Sequence, residues 1–214
     1  MLRTITNLFV AIETFVVRKQ KYFQWLFNIS VVAMVGFFIL TIVSNNFARS
    51  WNDFGKKAAN LSLITFWITL VPGILGRMNV GSIFLPIKVI LMMFRKEIGI
   101  LMYLFAIAHY SWSRFLPIFS INGNLFSITY FEVFGLIAFV LSFPLFVTSN
   151  DFSIAKLGHI WKKLHTMTYV IVWMLFLHLI ARELDWKAVV TLVIASFEWA
   201  SLINKKLFSK KLVS

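Results

Sequence analysis

Long apolar stretches alternate with short polar connections along most of the chain. Six of them are close to the ~20 residues that a helix needs to cross the ~30 Å hydrocarbon layer of a bilayer. The predicted spans are Tyr22–Val43, Ala58–Leu75, Glu97–Pro117, Ile128–Thr148, Leu164–Ala181 and Lys187–Ile203. The pattern therefore predicts an all-α, polytopic membrane protein with a bundle of six transmembrane helices.

Two further apolar segments are predicted not to cross the membrane. In residues 1–21, apolar side chains recur at helical spacing, which favours an amphipathic helix lying on the membrane surface. No small-residue cleavage site follows this segment, so we do not interpret it as a signal peptide. The segment Val80–Phe94 is interrupted by a glycine, a proline and a lysine, and we interpret it as a re-entrant or interfacial piece.

Composition agrees with a membrane protein. Of the 214 residues, 60% are hydrophobic and only 14% are charged, which is too apolar for a soluble domain. The 24 Phe and 8 Trp residues suit lipid-facing surfaces and interfacial belts. The net charge of +13 would suggest a nucleic-acid partner in a soluble protein. Because the basic residues lie between apolar spans, we expect lipids as partners and no nucleic acid.

The distribution of Lys and Arg predicts the orientation. The amino terminus, the connections 76–96 and 149–165, and the carboxy terminus together carry 15 of them, against 6 in the other three connections. Since basic residues accumulate on the cytoplasmic side, both termini are predicted to be cytoplasmic in a cell (inner or plasma) membrane. The predicted regions are the interfacial segment 1–21, a transmembrane domain 22–203 and a basic cytoplasmic tail 204–214.

Histidine is the strongest ligand type that the chain offers. It has no cysteine, which excludes disulfides, thiolate ligands and cysteine-bound iron–sulfur clusters on this chain. A histidine inside the hydrocarbon layer is costly and needs a partner or a function. His159 lies in a connection and is interpreted as solvated, and His165 follows Lys163 closely enough to be interfacial. His109 and His178 lie deeper.

His109 and His178 are predicted to lie at the same depth. Their spans both enter from the cytoplasm, and the two histidines follow Lys96 by thirteen residues and Lys163 by fifteen. At 1.5 Å per residue, both lie about 20 Å from that entry, in the outer half of the bilayer. Two imidazoles at one level on parallel helices favour a haem with one imidazole on each face. A role in interhelical hydrogen bonding is the alternative.

The spacing of His165 and His178 fits a shared haem stack less well. Thirteen steps of about 100° put the two side chains roughly 140° apart on an ideal helix. Tilt, supercoiling or a local bulge of the helix would narrow that angle.

Several short motifs surround these histidines. They are RKxxG at 95–99 before His109, Thr148–Ser149, LGxxWxxLH at 157–165, Tyr169 and His178, with a weaker match at Pro72 and Arg77. On these motifs, over roughly residues 58–185, the chain resembles the ferric reductase-like transmembrane family. Within that family it is most similar to the haem-binding membrane subunits of bacterial periplasmic methionine sulfoxide reductase systems.

The resemblance implies a six-helix core that carries electrons across the membrane on haem b. It implies that His109 and His178 are the axial ligands of an outer haem and that His165 is a third required position. The wider family has a second histidine on the third helix, where this chain has Arg95 and Lys96. We therefore expect one haem, with two as the alternative.

The remaining cofactor-binding candidates are Trp161 and the basic pair Arg95 and Lys96. The pair is suited to haem propionates or to the phosphate of FMN, although anchoring at the cytoplasmic surface is the simpler interpretation. Glu132 and Glu198 are acidic residues inside or at the ends of spans. Each is interpreted as a proton partner at a quinone site or as an interfacial residue.

The electron donor and acceptor are expected to be separate molecules. Only residues 204–214 follow the last span, and the chain has no glycine-rich phosphate loop. We therefore expect electrons to come from quinol or a separate flavoprotein and to reach an extracytoplasmic redox partner, with a periplasmic methionine sulfoxide reductase as the first candidate. Such a protein would be the electron-transfer subunit of an oxidoreductase. Direct reduction of ferric or cupric ions, and a non-redox transporter or scaffold, are the alternatives.

Overall fold

All regular structure in the described residues is helical. The computed structural model describes residues 2–43, 47–78, 84–115 and 128–211. The α-helices, in chain order, are α1 Leu2–Arg18, α2 Gln20–Val43, α3 Phe47–Arg77, α4 Leu85–Met93, α5 Arg95–Tyr110, α6 Tyr130–Val147, α7 Asp151–Leu157, α8 His159–His165, α9 Thr168–Arg182 and α10 Trp186–Lys211. A π-helical turn, Ser111–Phe115, continues α5.

Five helical stretches in these residues are long and apolar enough to cross a membrane. They are Gln20–Leu40, Asp53–Arg77, Tyr130–Val147, His159–Arg182 and Trp186–Asn204. They correspond to five of the six predicted spans, and they make the chain a multi-pass membrane protein.

The remaining predicted span, Glu97–Pro117, coincides with α5 and the π-helical turn. The α-helical part has 16 residues, and Pro117 lies outside the described residues. The sixth crossing and the cytoplasmic position of both termini therefore stay predictions.

The segments predicted not to cross are helical. The amino-terminal segment forms α1, and its position on the membrane surface stays a prediction. Within Val80–Phe94, the described part is α4, whose nine residues are about 14 Å long and too short to cross. The predicted region boundaries at 21/22 and 203/204 lie inside α2 and α10, and that division also stays a prediction.

The chain divides into two compact units, Met1–Gly123 and Asn124–Ser214. In the amino-terminal unit, α3 packs most extensively against α5, and α4 packs against α3 and α1. Phe66, Leu70 and Tyr103 are buried between these helices. Helix α2 is apolar all round and has no buried residue in its described part, which suits contact with lipid.

In the carboxy-terminal unit, α9 packs against both α6 and α10. Ile171 and Val172 of α9 are almost completely buried. The face that α10 buries consists of small residues and one acid: Ala188, Thr191, Ala195, Glu198 and Ser201. Small side chains at this spacing allow two membrane helices to approach closely, and this packing positions the helix that carries His178.

Candidate functional site

His178 lies on α9 with its ring against α6. Its Nδ1 is 2.6 Å from the backbone oxygen of Phe131, which lies in the first turn of α6. The ring can approach because residue 135, one turn further along α6, is glycine. A Cβ atom there would lie 2.8 Å from Nδ1 and 3.0 Å from Cε1 of the imidazole.

This contact determines which nitrogen of His178 can bind a metal. A carbonyl oxygen only accepts hydrogen bonds, so Nδ1 carries the proton and donates it to Phe131. Nε2 then carries the lone pair. Metal-ligating histidines usually have this arrangement, because the donated N–H holds the ring in place and makes the ligand more basic.

His109 has a similar arrangement in the amino-terminal unit. Its Nδ1 is 3.0 Å from the backbone oxygen of Gly55 on α3, and 3.1 Å from Oγ of Ser113. The Gly55 carbonyl again places the proton on Nδ1 and the lone pair on Nε2. Gly55 is buried, and a Cβ atom at this position would lie 2.5 Å from Ser113 Oγ. A side chain here would therefore force Ser113 to move.

The turn after His109 is π-helical. π-helical turns are common at functional sites, and this one contains Ser113, which contacts the histidine. Trp112 in the same turn is buried beside Phe38 and Phe54. Among the described residues, the indole Nε1 of Trp112 has no hydrogen-bond partner. It is a buried donor available to an oxygen atom of a bound group.

The second motif forms a separate cluster in the carboxy-terminal unit. The ring of His165 is tilted 32° to that of Trp161, with the ring centroids 4.0 Å apart. Nε2 of His165 is 3.4 Å from Oγ1 of Thr148, and Nε1 of Trp161 donates to the backbone oxygen of Thr148 at 3.0 Å. The structure thus brings together three motif residues, Thr148, Trp161 and His165. The hydroxyl of Thr148 lies beside Nε2 of His165, the ring nitrogen that carries the lone pair in His178.

The helical stretch His159–Arg182, which carries His165 on α8 and His178 on α9, is locally overwound. Between α8 and α9, the amides of residues 166, 167, 169 and 170 donate to the residue three positions earlier. Such turns advance about 120° per residue instead of about 100°. Over four residues, this adds about 80° and reduces the angle between the two histidines from roughly 140° to about 60°. A local change of helix geometry of the kind that narrows this angle is therefore present.

The structure also shows the surroundings of the other candidates. His159 is exposed, as predicted, although it begins α8 and does not lie in a loop. Arg95 and Lys96 form the first turn of α5 and are partly buried. Glu132 caps α6, since its Oε2 accepts from the amide and the hydroxyl of Thr129, each at 2.8 Å. That contact supports the interfacial interpretation of Glu132.

The sequence analysis missed the residues that hold the two histidines. They are Gly55, Ser113, Phe131 and Gly135. Gly55 lies in the part of α3 that precedes the predicted start of its span at Ala58. A glycine inside an apolar helical stretch is a signal for close packing and could have marked Gly135. The carbonyl of Phe131 leaves no signal in the sequence.

Comparison with known proteins places the chain beside one group of haem-binding subunits. The chain is similar to MsrQ. The protein-methionine-sulfoxide reductase heme-binding subunit MsrQ of Brucella anthropi is 31% identical over 99 residues, which are 44% of each chain. That of Agrobacterium fabrum is 29% identical over 94 residues, 42% of this chain and 43% of the relative. That of Brucella ovis is 29% identical over 101 residues, 46% of each.

These MsrQ relatives confirm the resemblance predicted from the motifs. The chain spans a little under half the length of the MsrQ proteins that it matches. No family model matches the chain, and no solved structure is significantly similar to it.

Proposed function

We propose that the chain is a haem-b-binding membrane subunit that transfers electrons, with His109 and His178 as the axial ligands of the iron. The arrangement of both histidines supports this most directly. Each donates Nδ1–H to a backbone oxygen, which places the lone pair on Nε2, the nitrogen that would bind a metal. The MsrQ relatives, whose name describes a heme-binding subunit, support haem as the metal group.

The chain's own residues hold and tune the ligands in this proposal. When bound, haem b supplies one-electron redox chemistry. The carbonyls of Gly55 and Phe131 fix the orientation of the imidazoles and raise their basicity, which favours ferric iron. The glycines at 55 and 135 leave room for the contacts that hold the rings. The apolar helices limit access of water, which raises the effect of every nearby charge on the potential.

The relatives and the sequence support the proposed partners. We propose that electrons come from quinol or a separate flavoprotein and pass to an extracytoplasmic methionine sulfoxide reductase, in the cell inner membrane. His165 is proposed as a third functional position. Arg95, Lys96 and Trp161 are proposed to contact a cofactor, either the haem propionates or an FMN phosphate. One haem is proposed, because Arg95 and Lys96 stand where the wider family has a second histidine on the third helix.

The spectrum of the purified protein tests the cofactor and its ligands. Protein from haem-replete cells should show a Soret band and sharp α and β bands on reduction. His109→Ala and His178→Ala should each lower the haem content per protein at least tenfold, because a ligand is lost. His159→Ala should leave it unchanged, since this exposed histidine is assigned no role. Equal haem content in all three variants would contradict the assignment.

Stopped-flow oxidation of the reduced protein tests the acceptor. Purified methionine sulfoxide reductase with a sulfoxide substrate should oxidise the haem faster than ferric citrate does. The opposite order would favour the direct metal reductase.

A further inference from the structure

Two basic side chains lie on the same glycine face of α3, near its carboxy-terminal end. A Cβ atom at Gly76 would lie 3.3 Å from Cε and 3.4 Å from Nζ of Lys88, which reaches across from α4. A Cβ atom at Gly73 would lie 3.3 Å from Nη1 and 3.5 Å from Nη2 of Arg77. Positions 73 and 76 are neighbours on a helix surface, about 5–6 Å apart. The two cations therefore lie over adjacent sites of one helix face.

The ammonium of Lys88 has no counter-ion in the described part of the chain. Lys88 is partly buried, and it has no ion pair or hydrogen bond with any described residue. The described acids of this unit, Glu13, Asp53 and Glu97, form no ion pair with it. A partly buried ammonium without a counter-ion is costly unless an anion binds beside it.

The position of Arg77 and Lys88 relative to the membrane indicates what kind of anion binds beside the Lys88 ammonium. Arg77 is the last residue of the membrane-spanning stretch Asp53–Arg77, so the pair lies near the level of the lipid headgroups. Arg77 extends back over Gly73, one turn earlier, and so points along the span. Leu85 and Met92 on α4 are apolar and exposed, at 55% and 51% of their surface. Acyl chains could cover them.

We propose that Arg77 and Lys88 bind the phosphodiester group of an anionic phospholipid. The planar guanidinium can hold two phosphate oxygens, and the ammonium adds a point charge, a combination typical of phosphate recognition. Gly73 and Gly76 have no side chains, so the guanidinium of Arg77 and the ammonium of Lys88 can both lie close to the helix. The exposed side chains of α4 then contact the acyl chains, which a free phosphate ion cannot do.

Lipid retention and thermal stability of the purified full chain test this site. Native mass spectrometry in detergent should show phosphatidylglycerol retained by the wild type. Lys88→Gln should reduce that retention at least fivefold, and Lys88→Arg should restore most of it. Lys57→Gln is the matched control, because it removes the same charge from the other part of α3, where Lys57 lies over the ring of Phe54.

Adding different ligands distinguishes an anionic lipid from free phosphate as the source of the bound phosphate group. Phosphatidylglycerol should raise the melting temperature of the wild type and of Lys57→Gln more than that of Lys88→Gln. Phosphatidylcholine and inorganic phosphate at equal concentration should raise it much less. Equal retention by Lys88→Gln and wild type would overturn the proposal, as would a larger effect of inorganic phosphate than of the lipid. Haem content, measured on the same samples, is expected to be the same in all variants.

Discussion

At the scale of single residues, the two histidines are held by backbone oxygens and accommodated by glycines. His109 and His178 were evident from the sequence, because a polar ring inside an apolar span needs a reason. Their partners were not, since Gly55 and Phe131 lie 54 and 47 positions away in the chain. A contact between a side chain and a distant carbonyl depends on how helices pack, and no local pattern encodes it.

Gly135→Ala is expected to lower haem content by ~10-fold or more, the usual cost of disturbing a group that orients a metal ligand. The new methyl group would overlap the imidazole of His178, whose Nδ1 contact with Phe131 leaves it little room to move. The absorbance of the Soret band per protein measures the effect. Gly36→Ala is the control, because nothing lies within 4 Å of its Cβ position. Its haem content should not change, and equal losses in both variants would exclude the steric explanation.

Gly55→Ala is expected to be partly rescued by a second substitution. Its methyl group would meet the hydroxyl of Ser113, and the neighbouring contacts with Trp112 Cβ and the Ser113 amide are ordinary ones of 3.5 and 3.6 Å. Ser113→Ala removes the obstacle, so the double variant should bind more haem than Gly55→Ala alone. A double-mutant cycle on haem content measures this coupling. Additive losses would show that Ser113 is not the residue that clashes.

At the scale of the elements, helix ends and one overwound turn decide how the spans are built. The apolar runs predicted five spans well, because length and hydropathy are local properties. The overwound turn between α8 and α9 was not predicted, since residues 166–170 contain neither proline nor glycine. It changes the relative direction of His165 and His178, which matters more to the site than the bounds of either helix.

The cap of α10 predicts a pH dependence of stability. Oδ1 of Asp185 accepts from the amides of Lys187 and Ala188 at 3.0 and 3.1 Å, and Oδ2 is 3.3 Å from Lys187 Nζ. Partial burial alone would raise the pKa of Asp185, but the amides and the ammonium outweigh it and lower the pKa. The cap therefore stabilises the fold above the unfolded pKa of about 3.9, and this contribution is lost as the pH falls through the lower folded value.

Asp185→Ala should destabilise the protein by about 1 kcal/mol at pH 7, the usual cost of removing a cap. Asp185→Asn keeps an acceptor oxygen and should cost less. Thermal unfolding measured from pH 7 to pH 3 should show the gap between wild type and Asp185→Ala closing below about pH 4. A gap that stays constant over this range would show that the ionised carboxylate does not contribute.

At the scale of the whole molecule, the distribution of basic residues predicts the membrane topology, and the helices define which segments can cross. The bias of 15 basic residues against 6 places both termini in the cytoplasm only if the number of crossings is even. Helix length and composition support five crossings. Whether the total is even, and both termini therefore cytoplasmic, depends on whether Arg95–Phe115 also crosses. This stretch carries His109, and its crossing is needed for the predicted depth of that histidine.

Reporter fusions at both termini and in two described connections test the topology. Fusions at either terminus and after Asn150 should report cytoplasmic exposure, and a fusion after Glu183 should report the opposite side. If Arg95–Phe115 does not cross, the two termini should lie on opposite sides. Phosphatase and fluorescent reporters, which are active on opposite sides, give independent measurements. If the termini lay on opposite sides of the membrane, the prediction that His109 lies at the same depth as His178 would also lose its basis.

The sequence by itself determined that this is a helical membrane protein with its ionisable rings inside apolar spans. Hydropathy, basic-residue counts and histidine spacing are properties of the chain in order, so they can be read without a fold. Only the tertiary structure decided which nitrogen of each histidine carries its lone pair, because the carbonyls of Gly55 and Phe131 come from other helices. It also placed Lys88 over Gly76. Such contacts arise where helix surfaces meet, and the chain order does not specify them.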